Sequence, residues 1–175
     1  LFLFNFTFSA HAQWQQTGGP FGGHVYSMAA SGTSLYAGTI GGGLYRSLNA
    51  GTTWQQQSFD QNIFTFNSLI ADGANLYAGS SNGFYFSVDS GSTWTQSNNG
   101  MSSSYSVNDL LFIGNTLFAG TDGGGVYSSA DSGATWTASN NGLTALTVYC
   151  LLVNGSDFFA GTDSGVFYSN NTGAN

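Results

Sequence analysis

Eight aspartates, no glutamate, one arginine, two histidines and one cysteine form the acid, base and thiol inventory of this chain. Glycoside hydrolysis ordinarily needs two carboxyl groups flanking the scissile bond. Asp60 with Asp122 is one candidate pair, and Asp109 with a carboxylate outside this stretch is another. A thiol nucleophile wants a histidine beside it, but Cys150 and His24 lie three repeats apart. Cys150 therefore reads as a small buried free thiol, and it has no second cysteine to pair with. The runs Gly41-Gly42-Gly43 and Gly123-Gly124-Gly125 join strand to strand. A phosphate cradle needs a helix N-terminus after its glycines, so these are expected to be tight turns. The turn aspartates lack the ligand series of an EF-hand loop, which leaves a loop-bound calcium as the weaker alternative. No catalytic residue, metal or cofactor is assigned.

The elements that must position these residues are set by a repeat. The pattern Ser-x-Asp/Asn-x-Gly-x-Thr-Trp occurs three times, carried by Ser47, Asn49, Gly51 and Trp54, by Ser87, Asp89, Gly91 and Trp94, and by Ser129, Asp131, Gly133 and Trp136. A fourth copy begins at Ser169-Asn170-Asn171-Thr172-Gly173. A second signature, Ala-Gly-Thr/Ser, starts at Ala37, Ala78, Ala119 and Ala160, 41 residues apart each time. A period of about 40–45 residues carrying four short strands is that of a β-propeller blade. In the third repeat, 107–113, 116–121, 125–129 and 135–137 are short runs rich in Val, Leu, Phe, Tyr and Thr, separated by Gly, Asn and Asp. Such runs read as an antiparallel meander, here lettered A (innermost) to D.

The predicted fold is all-β: a propeller of four-stranded antiparallel blades, about four of them, in an incomplete ring. The repeats are expected at about 24–57, 65–97, 106–138 and 147–175. Trp14 stands 40 residues before Trp54, which predicts a lone strand D at 13–17. Two arrangements follow: the four blades close on themselves, or they are an arc of a larger ring. The arc is expected, because the chain lacks an initiator Met and stops inside a motif.

Charged residues make up 5% of the chain, against about 25% in ordinary domains. The net charge is −7. With one cation, Arg46, the chain is poorly suited to nucleic acid, which is bound through Lys and Arg, or to an anionic membrane surface. Residues 1–12 have the form of a signal-peptide remnant, with an apolar stretch running into Ala10-His11-Ala12 before Gln13. An edge strand is the competing reading, since Phe2, Phe4, Phe6 and Phe8 alternate. A secreted or cell-surface location is expected, with no membrane insertion after signal cleavage.

The eight-residue motif resembles the Asp-box, or BNR, repeat found in sialidases, some propeller glucanases, sortilin-like receptor domains, a photosystem assembly factor and secreted bacterial propellers. The resemblance covers essentially 13–175. It implies that Ser47, Asn49, Gly51, Trp54 and their counterparts are structural and lie away from any catalytic face. A sialidase would further imply an arginine cluster and a Tyr–Glu pair, which this stretch lacks, and the assembly factor's basic surface is absent too.

In a meander the A–B and C–D turns share one end and the D–A and B–C connections the other. The face free of the motif is built from the D–A loops at 15–23, 57–64, 97–105 and 139–145, together with the B–C turns. The candidate ligand contacts there are Asp60, Phe64, Tyr105, Asp122 and Asp163, with Phe21 beside them. The expected function is a secreted, non-catalytic module that binds a polysaccharide or an extracellular protein through this face. The alternatives are part of an extracellular glycoside hydrolase whose acids lie mostly elsewhere, and a structural module of an adhesion protein.

Overall fold

The computed structural model describes residues 14–57 and 65–173. The leader expected at 1–12 falls outside them, as does Gln13. Among the described residues there are fifteen strands in four antiparallel sheets and no helix. Blade 1 is β1 (His24–Ser31), β2 (Ser34–Ile40), β3 (Leu44–Ser47) and β4 (Gln55–Gln56). Blade 2 is β5 (Phe66–Asp72), β6 (Asn75–Ser80), β7 (Gly83–Ser87) and β8 (Thr95–Gln96). Blade 3 is β9 (Val107–Ile113), β10 (Thr116–Thr121), β11 (Gly125–Ser129) and β12 (Thr137–Ala138). Blade 4 has three strands, β13 (Val148–Asn154), β14 (Asp157–Thr162) and β15 (Gly165–Ser169). Each sheet runs in sequence order, as a meander must.

The Ala-Gly-Thr/Ser signature is explained by how blades meet. A Cβ on Gly79 would stand 2.8 Å from Val107 Cγ1 of the next blade, and one on Gly120 would stand 2.8 Å from Val148 Cγ1. Only glycine lets the following inner strand come this close. Opposite these glycines the A strands place Ser27, Ser68, Asp109 and Cys150 in equivalent register. One residue bulges out of register just before each of them, namely Tyr26, Asn67, Asn108 and Tyr149. A bulge re-aims its side chain, and here two of them reach the next blade. Asn67 Nδ2 donates to Ser106 Oγ and Val107 O at 3.0 Å each, and Asn108 Nδ2 donates to Val148 O at 2.9 Å.

Three apolar seams hold the arc together. Tyr36 and Leu44 pack on Phe66, Leu76 and Tyr85; Tyr77 and Phe84 pack on Val107, Leu117 and Tyr127; Phe118 and Val126 pack on Val148, Leu151 and Phe158. The outer end of the middle seam is plugged by Trp136. Its ring meets Phe84 edge-on, with centroids 4.9 Å apart, and its Nε1 donates to Ser97 O at 3.0 Å. Edge-to-face pairing adds to the burial itself.

The ring is open. Packing runs from β1 to β5, β5 to β9 and β9 to β13, and does not return to β1. Val25 and Met28 on blade 1, and Leu152, Val166 and Tyr168 on blade 4, are therefore exposed. Two expectations change in consequence. Residues 14–17 pair with no strand and Trp14 is fully exposed, because the sheet edge they would complete is at the far end of the arc. Cys150 is exposed rather than buried, because no further blade covers blade 4.

Trp136→Ala is expected to cost about 3–5 kcal/mol, the range for truncating a large buried aromatic. Trp54→Ala should cost less, since its side of blade 1 faces an open end. Chemical denaturation of the two variants checks the order.

Candidate functional site

The repeated hairpins lie at one end of the blades, where Ser90 N–H donates to Ala74 O of the A–B turn at 2.8 Å. Their bonding is almost identical from copy to copy. Asp89 Oδ1 accepts from Ser87 Oγ at 2.7 Å and from Thr93 N–H at 2.8 Å, while Oδ2 accepts from Thr93 Oγ1 at 2.6 Å. Asp131 makes the same bonds to Ser129 and Thr135. In the first hairpin Asn49 keeps the geometry but reverses one bond, its Nδ2 donating to Thr53 Oγ1 at 2.9 Å. The serine closes the loop from the other side, accepting from Gly51, Gly91 or Gly133 N–H at 2.8–2.9 Å. The turn needs two successive left-handed residues, such as Ser90 at φ 60° and Gly91 at φ 85°, and only the second is a glycine. The Asp89 and Asp131 carboxylates are thus engaged within their own hairpins, while the Ser90 carbonyl accepts from Tyr36 Oη of blade 1 at 3.3 Å.

The opposite end carries the D–A loops and B–C turns, as a meander dictates. Gly123 and Gly125 N–H both donate to Leu146 O, at 3.0 and 2.8 Å, tying the blade 3 turn to the next loop. Tyr105 is half-buried with its ring laid on the glycine turn, so that a Cβ on Gly124 would stand 2.6 Å from it. Thr147 joins two of the candidate acids. Its Oγ1 donates to Asp122 Oδ1 at 3.0 Å, and its carbonyl accepts from Asp163 N–H at 3.2 Å. Asp163 Oδ1 in turn accepts from Ser164 Oγ at 3.1 Å. The structure therefore gathers Tyr105, Asp122, Thr147 and Asp163 along the blade 3–4 boundary. Phe21 is exposed at the blade 1 loop, where its carbonyl accepts from Tyr45 Oη at 3.1 Å. Asp60 and Phe64 lie outside the described residues. Among the described residues no three His, Cys, Asp or Glu side chains converge as metal ligands.

A family model for the DUF6242 beta propeller domain matches residues 3–104, more than half of the chain. The chain belongs to the DUF6242 beta propeller family. Solved structures place its fold in wider company. An ancestral GH74 enzyme superposes with a TM-score of 0.74 at 20% identity, over 95% of this chain and 25% of that one. The extracellular domain of a putative one-component system from B. thetaiotaomicron gives 0.72 at 23%, over 88% and 22%. YCF48 bound to D1 peptide gives 0.67 at 20%, over 85% and 52%. At these identities the likeness is one of fold. The chain spans about a quarter of the length of the first two. No curated protein matches it.

Two charged residues of this DUF6242 propeller, Asp109 and Arg46, are spent on the scaffold. Asp109, considered above as half of an acid pair, is a clamp between blades. Its Oδ1 accepts from Ser68 Oγ of blade 2 at 3.2 Å and from its neighbour Leu110 N–H at 2.9 Å, and its Oδ2 accepts from Leu151 N–H of blade 4 at 2.8 Å. Asp109→Ala is expected to destabilise by about 1–3 kcal/mol, the cost of leaving such a donor unpaired, with blade 4 loosened first in hydrogen exchange. Arg46 is likewise spent on the scaffold, with Nη2 donating to Ser34 Oγ at 3.2 Å and the guanidinium 5.6 Å from the centre of the Tyr36 ring.

The hairpin carboxyls of the DUF6242 propeller have an electrostatic signature. Hydrogen bonds from the Thr93 hydroxyl, then the Thr93 N–H and the Ser87 hydroxyl, hold Asp89 at about 2, and the equivalent groups of Thr135 and Ser129 hold Asp131 at about 2. The unfolded value is about 3.9. The folded form thus favours the ionised acid, so each lock stabilises fully above about pH 4 and is lost as the pH falls towards 2. The thermal midpoint is expected to drop across that window. A D89N/D131N variant, which copies Asn49, should show a shallower drop. An unchanged slope in the variant would refute the assignment.

Proposed function

We propose that this chain is an extracellular Asp-box propeller module that binds a neutral polysaccharide through its D–A and B–C loop face, without catalysis of its own. The observation that carries this reading is the arrangement at the blade 3–4 boundary. Tyr105 is pinned on the Gly123–Gly124 turn beside Asp122, whose carboxylate already holds the Thr147 hydroxyl. An aromatic ring fixed in advance offers a stacking surface with little ordering cost on binding. Its surroundings are mainly hydroxyls, including the mutually bonded Ser102 and Ser104, with the Asp122 carboxylate engaged by Thr147. Sugars without ionic groups are recognised by stacking and hydrogen bonds of this kind.

The Asp-box reading rests on the self-contained Ser–Asp–Thr hairpin, and the extracellular placement on the leader-like residues 1–12. The domain from B. thetaiotaomicron is extracellular by its own description. Glycan-array and calorimetric titration of the chain should identify a neutral polysaccharide ligand, with Tyr105→Ala weakening it about tenfold, a loss of about 1.4 kcal/mol. Capture of a protein partner through the same face, with no glycan bound, would move the ligand to the protein class. Release of reducing ends from the polysaccharide would replace binding with hydrolysis.

A further inference from the structure

Between blades 2 and 3, at the hairpin end, two adjoining clefts of about 310 and 520 Å³ share Asn75, Tyr77 and Ser132. Their aromatic walls are Tyr77 and Phe86 of blade 2 and Phe112 of blade 3. All three rings pack on the middle seam, which gives the walls a buried footing. The Tyr77 and Phe112 rings stand at 74° to one another with centroids 5.2 Å apart. Both charged residues at the clefts are acids: Asp72 at the A–B turn of blade 2 and Asp131 in the hairpin of blade 3. Hydrogen bonds from the Thr135 hydroxyl, the Thr135 N–H and the Ser129 hydroxyl keep Asp131 ionised.

The same place in the seam between blades 1 and 2 is filled by the chain itself. Tyr36 is the counterpart of Tyr77, and its cross-strand partner is Arg46 where Tyr77 has Phe86. The Arg46 guanidinium stands 5.6 Å from the centre of the Tyr36 ring, a cation on an aromatic face. The Tyr36 hydroxyl donates to Ser90 O of the next hairpin at 3.3 Å and so closes that seam. Between blades 2 and 3 the arrangement is different. Phe86 takes the place of Arg46, and Phe112 stands where the first seam has Ala71. Tyr77 Oη has no hydrogen-bond partner among the described residues, and Ser132, the counterpart of Ser90, lines both clefts. This seam thus gains two rings and has no cation of its own.

We propose that the cleft between blades 2 and 3 binds an organic ammonium group, held among Tyr77, Phe86 and Phe112 with Asp72 and Asp131 at its rim. Ring faces carry negative potential and attract a cation placed over them. A quaternary ammonium suits these walls best, because its methyl groups pack on the rings and it has no N–H to leave unsatisfied. The two carboxylates draw a cation towards the cleft and repel an anion. The cleft and the loop face lie at opposite ends of the blades, so each can be occupied without the other.

Choline chloride is the probe, titrated into the chain and followed by NMR of the aromatic side chains, with sodium chloride at matched ionic strength as the blank. A dissociation constant of about 1 mM is expected for a small cation held this way, with the largest shifts on Tyr77, Phe86 and Phe112. Dimethylbutanol, the neutral analogue with carbon in place of the nitrogen, should bind at least about tenfold more weakly. Phe86→Arg restores the residue type of the first seam and should abolish choline binding by bringing the chain's own guanidinium to Tyr77. Asp72→Asn, in an exposed turn, should weaken binding about threefold, the scale of an exposed charge pair. Circular dichroism checks that both variants are folded. Equal affinity for choline and the alcohol overturns the proposal, and so does the absence of shifts at these rings with choline far above its expected dissociation constant. Choline binding that survives in a folded Phe86→Arg chain overturns it too. Should that variant not fold, the neutral analogue and Asp72→Asn decide between the outcomes.

Discussion

Each blade is joined to the one before it through an apolar seam whose inner end is a glycine, closed in the first two seams by a tryptophan at the outer end, and the rest of the structure depends on that contact. At the inner end Gly79 and Gly120 let the next A strand approach to van der Waals distance. At the outer end Trp136 fills the wedge left as the blades diverge. Neither signature has a chemical role. Both recur because the same gap recurs. The hairpin lock serves this contact as well: the serine, the acid and the threonine hold the turn so that strand D starts with its tryptophan aimed into the seam.

Once the seams are in place, polar groups have little freedom. With 5% charged residues, the chain satisfies its turns and edges with Ser, Thr, Asn and Gln. Side-chain bonds of Asn67, Asn108 and Asp109 join one blade's inner strand to its neighbours. The centre of the arc is thereby cross-linked by directional bonds, and its outer part combines the packing of Trp136 with the bonds of Trp136 and Ser97 across the seam. The loop face is left with few ionised groups beyond Asp122 and Asp163, each already engaged by a hydroxyl.

Much of this fold was legible in the residues. The 41-residue ruler and the turn chemistry place the strands of blade 3 to within a residue or two, because an antiparallel meander is a local structure whose punctuation is written in Gly, Asn and Asp. What was not legible depends on neighbours far away in sequence. Asp109 looks like any strand aspartate until Ser68 and Leu151, 41 and 42 residues off, are brought to its two oxygens. Cys150 occupies the register of residues that sit against a following blade, but at the end of the arc there is none. Thr147, which links Asp122 to Asp163, carries no motif at all. The left-handed conformation of Ser90 and Ser132 was equally hidden, since nothing in a serine announces positive φ.

Four blades joined by three seams form a one-dimensional array, in which each unit is stabilised chiefly by its nearest neighbours. The two inner blades have two such neighbours and the outer two have one. Stability is therefore graded along the chain: fraying starts at either end and moves inward, and every blade lengthening the arc adds one coupling for each unit it adds. A linear array never loses that deficit of one coupling, however long it grows. Only a contact joining first blade to last, within a molecule or between molecules, makes every position equivalent and turns a gradual unzipping into a single cooperative transition.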